Sequence, residues 1–249
     1  MRSLSWRAVR RLLALPLAVA VLGLAACGSS DSTSTSTASG ASGASGGAGG
    51  ASAPAGTTAT PAATTGGCKQ VAAPKGRAGK TAKPTARLAA GKTWTVTLAT
   101  SCGTIQIRLD TARDPKTAAN FGRLAQRGYY DGLGFHRVVP GFVIQGGDPA
   151  GDGSGGPGYT VVEAPPKGTT YRRGVVAMAK TQTDPAGASG SQFFIVTGAD
   201  AGLPPEYAVA GRVTQGLGVV DRIAALGQPG ADGPPSQPVV ISKATLKAG

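Results

Sequence analysis

The sequence predicts a mainly β domain over residues 93–249, an eight-stranded antiparallel barrel capped by two α-helices. Three observations predict it. Short segments rich in Val, Ile, Thr and Phe recur through this region and are bounded by turn-forming residues. Only two segments carry helical periodicity, and two helices among about eight short strands point to a barrel with helices on its ends. The region is long enough to bury one real core, and it contains no internal repeat.

The elements follow in order. "TWTVTLAT" (93–100) and "GTIQIRL" (103–109) alternate and are joined by Ser101 and Cys102, so they predict a hairpin. "DPKTAANFGRLAQRG" (114–128) predicts a helix. Pro115 suits its first turn, Gly128 its end, and Ala118, Phe121, Leu124 and Ala125 form its apolar face. "FHRVV" (135–139), "GFVIQGG" (141–147), "GVVAMA" (174–179), "SQFFIVT" (191–197) and "YAVAGRV" (207–213) read as strands. "GLGVVDRIAAL" (216–226) is the second helix, and "PVVISKATL" (238–246) the last strand.

Residues 1–26 have a basic head (Arg2, Arg7, Arg10, Arg11) and an apolar run from Leu12 to Ala26, too short to span a bilayer comfortably. This is the layout of an export signal. It ends in "LAAC", Leu24 to Cys27, which resembles the lipobox of bacterial lipoproteins. That resemblance implies cleavage before Cys27 and a lipid on its thiol, placing the protein on the extracytoplasmic face of the cell membrane. The other reading is an ordinary cleaved signal with Cys27 incidental. Residues 27–67 are nearly all Gly, Ser, Thr, Ala and Pro, the composition of a disordered linker. Residues 68–92 carry seven basic residues and no acid. They read as a solvated basic lead-in, or as an electrostatic contact with anionic lipid or wall polymer. Cys68 and Cys102 are an even pair outside the cytosol, which points to a disulfide; the alternative is two free thiols.

The formal charge of +13 is concentrated outside the domain. From Thr93 to Gly249 there are 14 basic and 11 acidic residues, so the folded part gives no support for nucleic-acid binding. "GDGSGG" (151–156) matches a dinucleotide fingerprint but has no strand before it and no helix after it. His136 is the only histidine, and its neighbour Arg137 disfavours the imidazolium that a Ser-His-Asp hydrolase needs. One histidine with scattered carboxylates makes a poor metal site.

"FHRVVPGFVIQGGDP" (135–149), "GSGGPGY" (153–159), "GVVAMA", "GSQFFI" (190–195) and "YAVAGRV" occur in an order and spacing that resemble the successive motifs of cyclophilins, the peptidyl-prolyl cis–trans isomerases. The resemblance runs from about Thr93 to the C-terminus. It implies Arg137 as the catalytic arginine, with Gln145 orienting it and bonding substrate backbone. It implies a proline pocket of Phe142, Val143, Phe194 and Leu203, lined also by His136. Gln192, Ala179 and Gly153 match positions that contact substrate backbone or its flanks, and Tyr207 stands at the pocket rim. The sequence departs from the family at Lys180, Val143, Gly202 and Ala210.

The chemistry suits these residue types. Rotation about X–Pro breaks amide resonance, and no nucleophile, metal, proton transfer or cofactor is required. What helps is a donor aimed at the prolyl nitrogen, and a guanidinium holds its donors in a rigid fork. The expected partners are proline-containing exported polypeptides, met by a monomer anchored to the membrane at Cys27. Two other readings stay open: a non-catalytic chaperone or scaffold that keeps the barrel, and a wall protein working through its basic lead-in.

Overall fold

The computed structural model describes Thr64, Thr65 and residues 67–249. The expected signal peptide, Cys27 and nearly all of the expected linker lie outside the described residues. Eight strands form one antiparallel sheet: β1 (Trp94–Thr100), β2 (Gly103–Leu109), β3 (Phe135–Val139), β4 (Val143–Gly146), β5 (Val175–Met178), β6 (Phe193–Val196), β7 (Val209–Gln215) and β8 (Ile241–Ala248). The order across the sheet is β8-β1-β2-β7-β5-β6-β4-β3. The sheet curls until its edges meet, where Gly134 bridges Val240 and Phe135 N donates to Val239 O over 3.0 Å. The barrel layout expected from the sequence is therefore observed.

Helix α1 (Pro115–Gln126) packs on β7 and β8, and α2 (Leu217–Ala224) on β2 and β4. The predicted apolar face of α1 is fully buried. Phe121 meets Tyr130 and Phe193 at centroid distances of 5.3 and 5.2 Å. The first turn of α1 is capped from a distance: Lys116 N and Thr117 N donate to the Glu163 carboxylate over 3.2 and 2.7 Å. Gly128 ends the helix at φ +68°, a conformation that glycine adopts without steric cost.

Period-2 alternation divides the buried side chains of the central strands between two clusters. Ile144, Val176, Met178, Phe193 and Ile195 fill the barrel with residues from β1, β2 and the helices. Val143, Val175, Ala177, Phe194 and Val196 face the other way and pack with Tyr171, Phe142, Leu203 and Tyr207. These strands are thus apolar on both faces, and the outer apolar face floors the site.

Cys68 and Cys102 are disulfide-bonded. The segment that follows Cys68 is mostly exposed, as a solvated lead-in requires, yet its backbone is tied to the barrel. Lys69 N donates to Ser101 O, Arg77 N to Pro149 O and Thr81 N to Pro157 O, over 2.8, 2.8 and 3.0 Å. The Arg77 guanidinium lies over the Tyr129 ring at 5.4 Å, and Lys83 Nζ donates to Thr160 O over 2.8 Å. The basic segment is a strap along the domain. Several of its hydrogen bonds are made by backbone groups, which charge counting does not reveal. Short pairs at Thr64–Thr65 with Cys68–Lys69 and at Val161–Val162 with Ala188–Ser189 complete the strands.

Candidate active site

The site begins with an irregularity in β3. Phe135 pairs with Gly146 and Arg137 with Gln145, so one extra residue, His136, is inserted between consecutive partners. This is a β-bulge, which re-aims side chains. Strict alternation would put Phe135 and Arg137 on one face. With the bulge, Phe135 and Val138 enter the core, and both His136 and Arg137 turn away from it.

Arg137 then meets three partners. Its Nη1 donates to Gln145 Oε1 over 3.0 Å. Its Nε and Nη2 donate to the two oxygens of Asp232 over 2.6 and 2.7 Å. Its Cζ lies 5.9 Å from the Phe142 ring centroid. Gln145 passes the chain on: its Nε2 donates to Gln192 Oε1 over 3.0 Å, and Gln192 Nε2 donates to Gly153 O and Gly155 O over 2.8 Å each. Gln145, on β4, pairs with Arg137 on β3 and with Phe194 on β6, so the two register pairs place it between guanidinium and aromatic floor.

A pocket of about 200 Å³ opens beside this chain. Arg137 and Gln145 line one side, and Phe142, Val143, Ala179, Phe194, Leu203, Tyr207 and Lys180 the rest. Tyr207 packs edge-on to Phe194 at 5.5 Å, and its backbone exchanges hydrogen bonds with the Tyr171 hydroxyl. Lys180 has a nearly buried side chain, paired with Glu206 over 3.2 Å, and its Nζ lies 5.5 Å from the Tyr207 centroid. A wider cavity of about 820 Å³ adjoins it. Gln145, Ala179 and Lys180 line both, while Gly153, Gln192 and strap residues 77–80 line only the wider one. A third, separate cavity of about 480 Å³ lies at the foot of α1, around Arg108, Arg113 and Asp114.

Most residues proposed from the sequence are therefore assembled in one place. Phe142, Val143, Phe194 and Leu203 form the pocket, with Tyr207 at its edge; Gln192 and Gly153 belong to the adjoining groove. His136 is the exception. It is absent from the pocket lining, in which its neighbour Arg137 is present. Its ring nitrogens are buried without a hydrogen-bond partner among the described residues. Burial holds its pKa below the ordinary value, against the opposing pull of the Asp148 charge. Asp232 was not foreseen: it lies 95 residues from Arg137, in a Gly- and Pro-rich loop without periodicity. A carboxylate among turn residues carries no local signal.

Fold and site together define a β-barrel protein with an apolar pocket open to a groove and edged by one fixed guanidinium. The family model described as cyclophilin type peptidyl-prolyl cis-trans isomerase/CLD matches residues 95–246. The chain belongs to this family and is an enzyme of that class. It is 47% identical over 114 residues to peptidyl-prolyl cis-trans isomerase B of Bacillus subtilis, a match covering 45% of this chain and 78% of the relative. It is 40% identical over 135 residues to a peptidyl-prolyl cis-trans isomerase of Helicobacter pylori, covering 53% and 81%. A crystal structure of a Cryptosporidium parvum cyclophilin-type isomerase in the presence of the dipeptide Ala-Pro matches with a TM-score of 0.57 and 30% identity, over 62% of this chain and 99% of that one.

Proposed function

We propose that the enzyme accelerates X–Pro isomerisation in exported polypeptides, with Arg137 donating a hydrogen bond to the prolyl nitrogen as the amide twists. The uncatalysed barrier is about 20 kcal/mol because rotation breaks amide conjugation. In the planar amide the nitrogen lone pair is delocalised; at the twisted geometry it is localised and accepts a hydrogen bond. A donor placed there acts on the transition state alone, which is the condition for raising turnover. A charge-assisted hydrogen bond is worth about 1.5–3 kcal/mol, or one to two decades of rate.

The observation that carries this reading is the guanidinium at the edge of an apolar pocket floored by Val143 and Phe194, held by Gln145 and Asp232. The proline ring sits on the apolar floor, where its burial supplies binding. The chain on either side of the proline runs into the groove beside Gln192, Gly153 and Ala179. Dry apolar walls strengthen the hydrogen bond, and an arginine fixed beforehand needs no reorganisation during rotation.

The sequence ahead of the domain supports the setting. An export signal ending in a lipobox-like "LAAC" and a forty-residue polar linker fit a monomer held at the membrane by lipid on Cys27, with its barrel outside the cytoplasm. The bonded Cys68–Cys102 pair fits an oxidising compartment.

The test is catalysed cis–trans exchange of an Ala-Pro peptide followed by NMR, comparing the full-length chain with Arg137→Ala. Acceleration that disappears in the variant supports the reading. No acceleration by the folded, oxidised wild type removes it in favour of a non-catalytic proline-segment-binding module. Acceleration that persists in the variant removes Arg137 from the mechanism. Mass measurement of the membrane fraction for diacylation at Cys27 tests the anchor.

A further inference from the structure

Arg137 is gripped from two directions by residues far apart in the chain. Gln145 is its neighbour across a hairpin, whereas Asp232 comes from the loop between α2 and β8. That loop is pinned to β3 by backbone: Val138 N donates to Gly233 O over 2.7 Å, forming an isolated bridge. Ser236 N donates to Leu226 O over 2.7 Å and closes the loop on itself. Gly227 lies so close to β3 that a Cβ there would stand 2.7 Å from Val138 and 2.9 Å from Pro140. Pro229, Pro234, Pro235 and Pro238 remove further freedom from the segment. The bridge at Gly233 leaves Asp232 directly beside Arg137.

The donor count gives this contact a consequence. A guanidinium has five N–H groups. The Nε–H and one Nη2–H go to Asp232, and one Nη1–H goes to Gln145. One hydrogen on each Nη is not committed to these two residues. Asp232 and Gln145 together thus take three of the five donors and leave two for a substrate.

We propose that Asp232 is a positioning residue for isomerisation, fixing the Arg137 fork so that its two uncommitted N–H groups are presented to the pocket. The inference rests on the isomerase reading above. Its physical basis is preorganisation: a long side chain with several free torsions is held in one arrangement before substrate arrives. The carboxylate is well suited, because two parallel N–H···O bonds fix orientation as well as distance. Arg137 in turn holds the Asp232 carboxyl below the ordinary carboxylate range, through its hydrogen bonds and then its charge. The pair is partly exposed, so the effect on turnover is moderate.

The experiment measures catalysed exchange of an Ala-Pro peptide by full-length wild type, Asp232→Ala and Asp232→Asn. The Arg137 Nε–H resonance and the melting temperature are recorded for each. Asp221→Asn is the control, since it weakens another partly exposed Arg–Asp pair, in which Arg173 Nη2 alone reaches both carboxylate oxygens. Expected are a kcat/KM lower by about fivefold in Asp232→Ala and by less in Asp232→Asn, whose amide oxygen still accepts one bond. The Nε–H resonance loses its protection in Asp232→Ala while the melting temperature and the control stay unchanged. A rate that is unchanged or raised in both Asp232 variants overturns the inference, as does a loss of rate with the Nε–H resonance still protected. A wild type that gives no acceleration sinks the isomerase reading itself, whereas acceleration indifferent to Asp232 sinks only this inference.

Discussion

Arg137 and Gln145 are register partners across β3 and β4, and Arg137 Nη1 donates to Gln145 Oε1 over 3.0 Å. The pairing exists because His136 is inserted as a bulge, and it joins the guanidinium to Gln192 and the Gly153–Gly155 loop.

Replacing Arg137 tests the donor. Arg137→Ala is expected to lower kcat/KM by one to two decades or more, and Arg137→Lys to recover little of it, because an ammonium lacks the planar fork that Gln145 and Asp232 hold. Peptide exchange by NMR reads the rate. Retention of near wild-type turnover in Arg137→Lys would show that charge alone suffices.

Gln145→Ala removes two hydrogen bonds, one to Arg137 and one to Gln192. Turnover is expected to fall roughly tenfold while the fold is kept, since neither bond lies in the barrel core. Steady-state rates with a thermal melt on the same sample separate the two effects.

The rate of the chemical step is expected to be flat between about pH 6 and pH 8. Burial holds His136 below its ordinary pKa, which favours its neutral form, and Asp232 is held below the ordinary carboxylate range and stays ionised. Guanidinium chemistry has no titration near neutrality. A sigmoidal profile centred there would place an acid or base in the mechanism.

Asp114 stands at the foot of α1, 1% exposed, with Oδ1 lacking a hydrogen-bond partner among the described residues. Its pKa is pushed up to about 7, first by burial and then by the charges of Glu163 and Asp110, against a smaller opposing pull from Arg113. The folded chain therefore binds this proton more tightly than the unfolded chain. Stability from the group is complete below about pH 4 and is lost as pH rises towards 7. Asp114→Asn keeps the shape without the charge. It is expected to raise the melting temperature at pH 8 by several degrees and to change it little at pH 4, as scanning calorimetry at the two pH values would read.

Reduction of Cys68–Cys102 opens a loop of 34 residues and is expected to cost roughly 3–4 kcal/mol in the chain-entropy model. Urea melts with and without reductant measure it. The strap should become protease-sensitive near Lys80 before the barrel unfolds, because most of it is exposed.

Strand and helix positions were largely legible in the sequence. "GTIQIRL" alternates and is a strand over the same residues, and Pro115 and Gly128 frame α1 as their backbone preferences require. Phe142, Val143 and Phe194 were legible as pocket residues through the family motifs that carry them. The family motifs put His136 in the pocket lining beside Arg137, and a motif read along the chain cannot show an extra residue in one strand. That residue is defined only against the partner, by Phe135 facing Gly146 and Arg137 facing Gln145. The basic segment before the domain looked solvated because its charges are local, while its bonds to Pro149 and Pro157 are made by backbone.

By itself, the sequence determined which segments are strands, which residue is the guanidinium, and which apolar side chains floor the pocket. The strands rest on side-chain type and on a period of two residues, both properties of neighbours in the chain, whereas the guanidinium and the pocket floor rest on the resemblance to the cyclophilin motifs. The tertiary structure alone decided which way Arg137 points and what holds it. The bulge depends on β3 pairing with β4, and Asp232 depends on a loop 95 residues away being pinned to Val138 through Gly233. Register and loop docking are set when the barrel closes, by contacts between residues distant in sequence, and those contacts give the site its geometry.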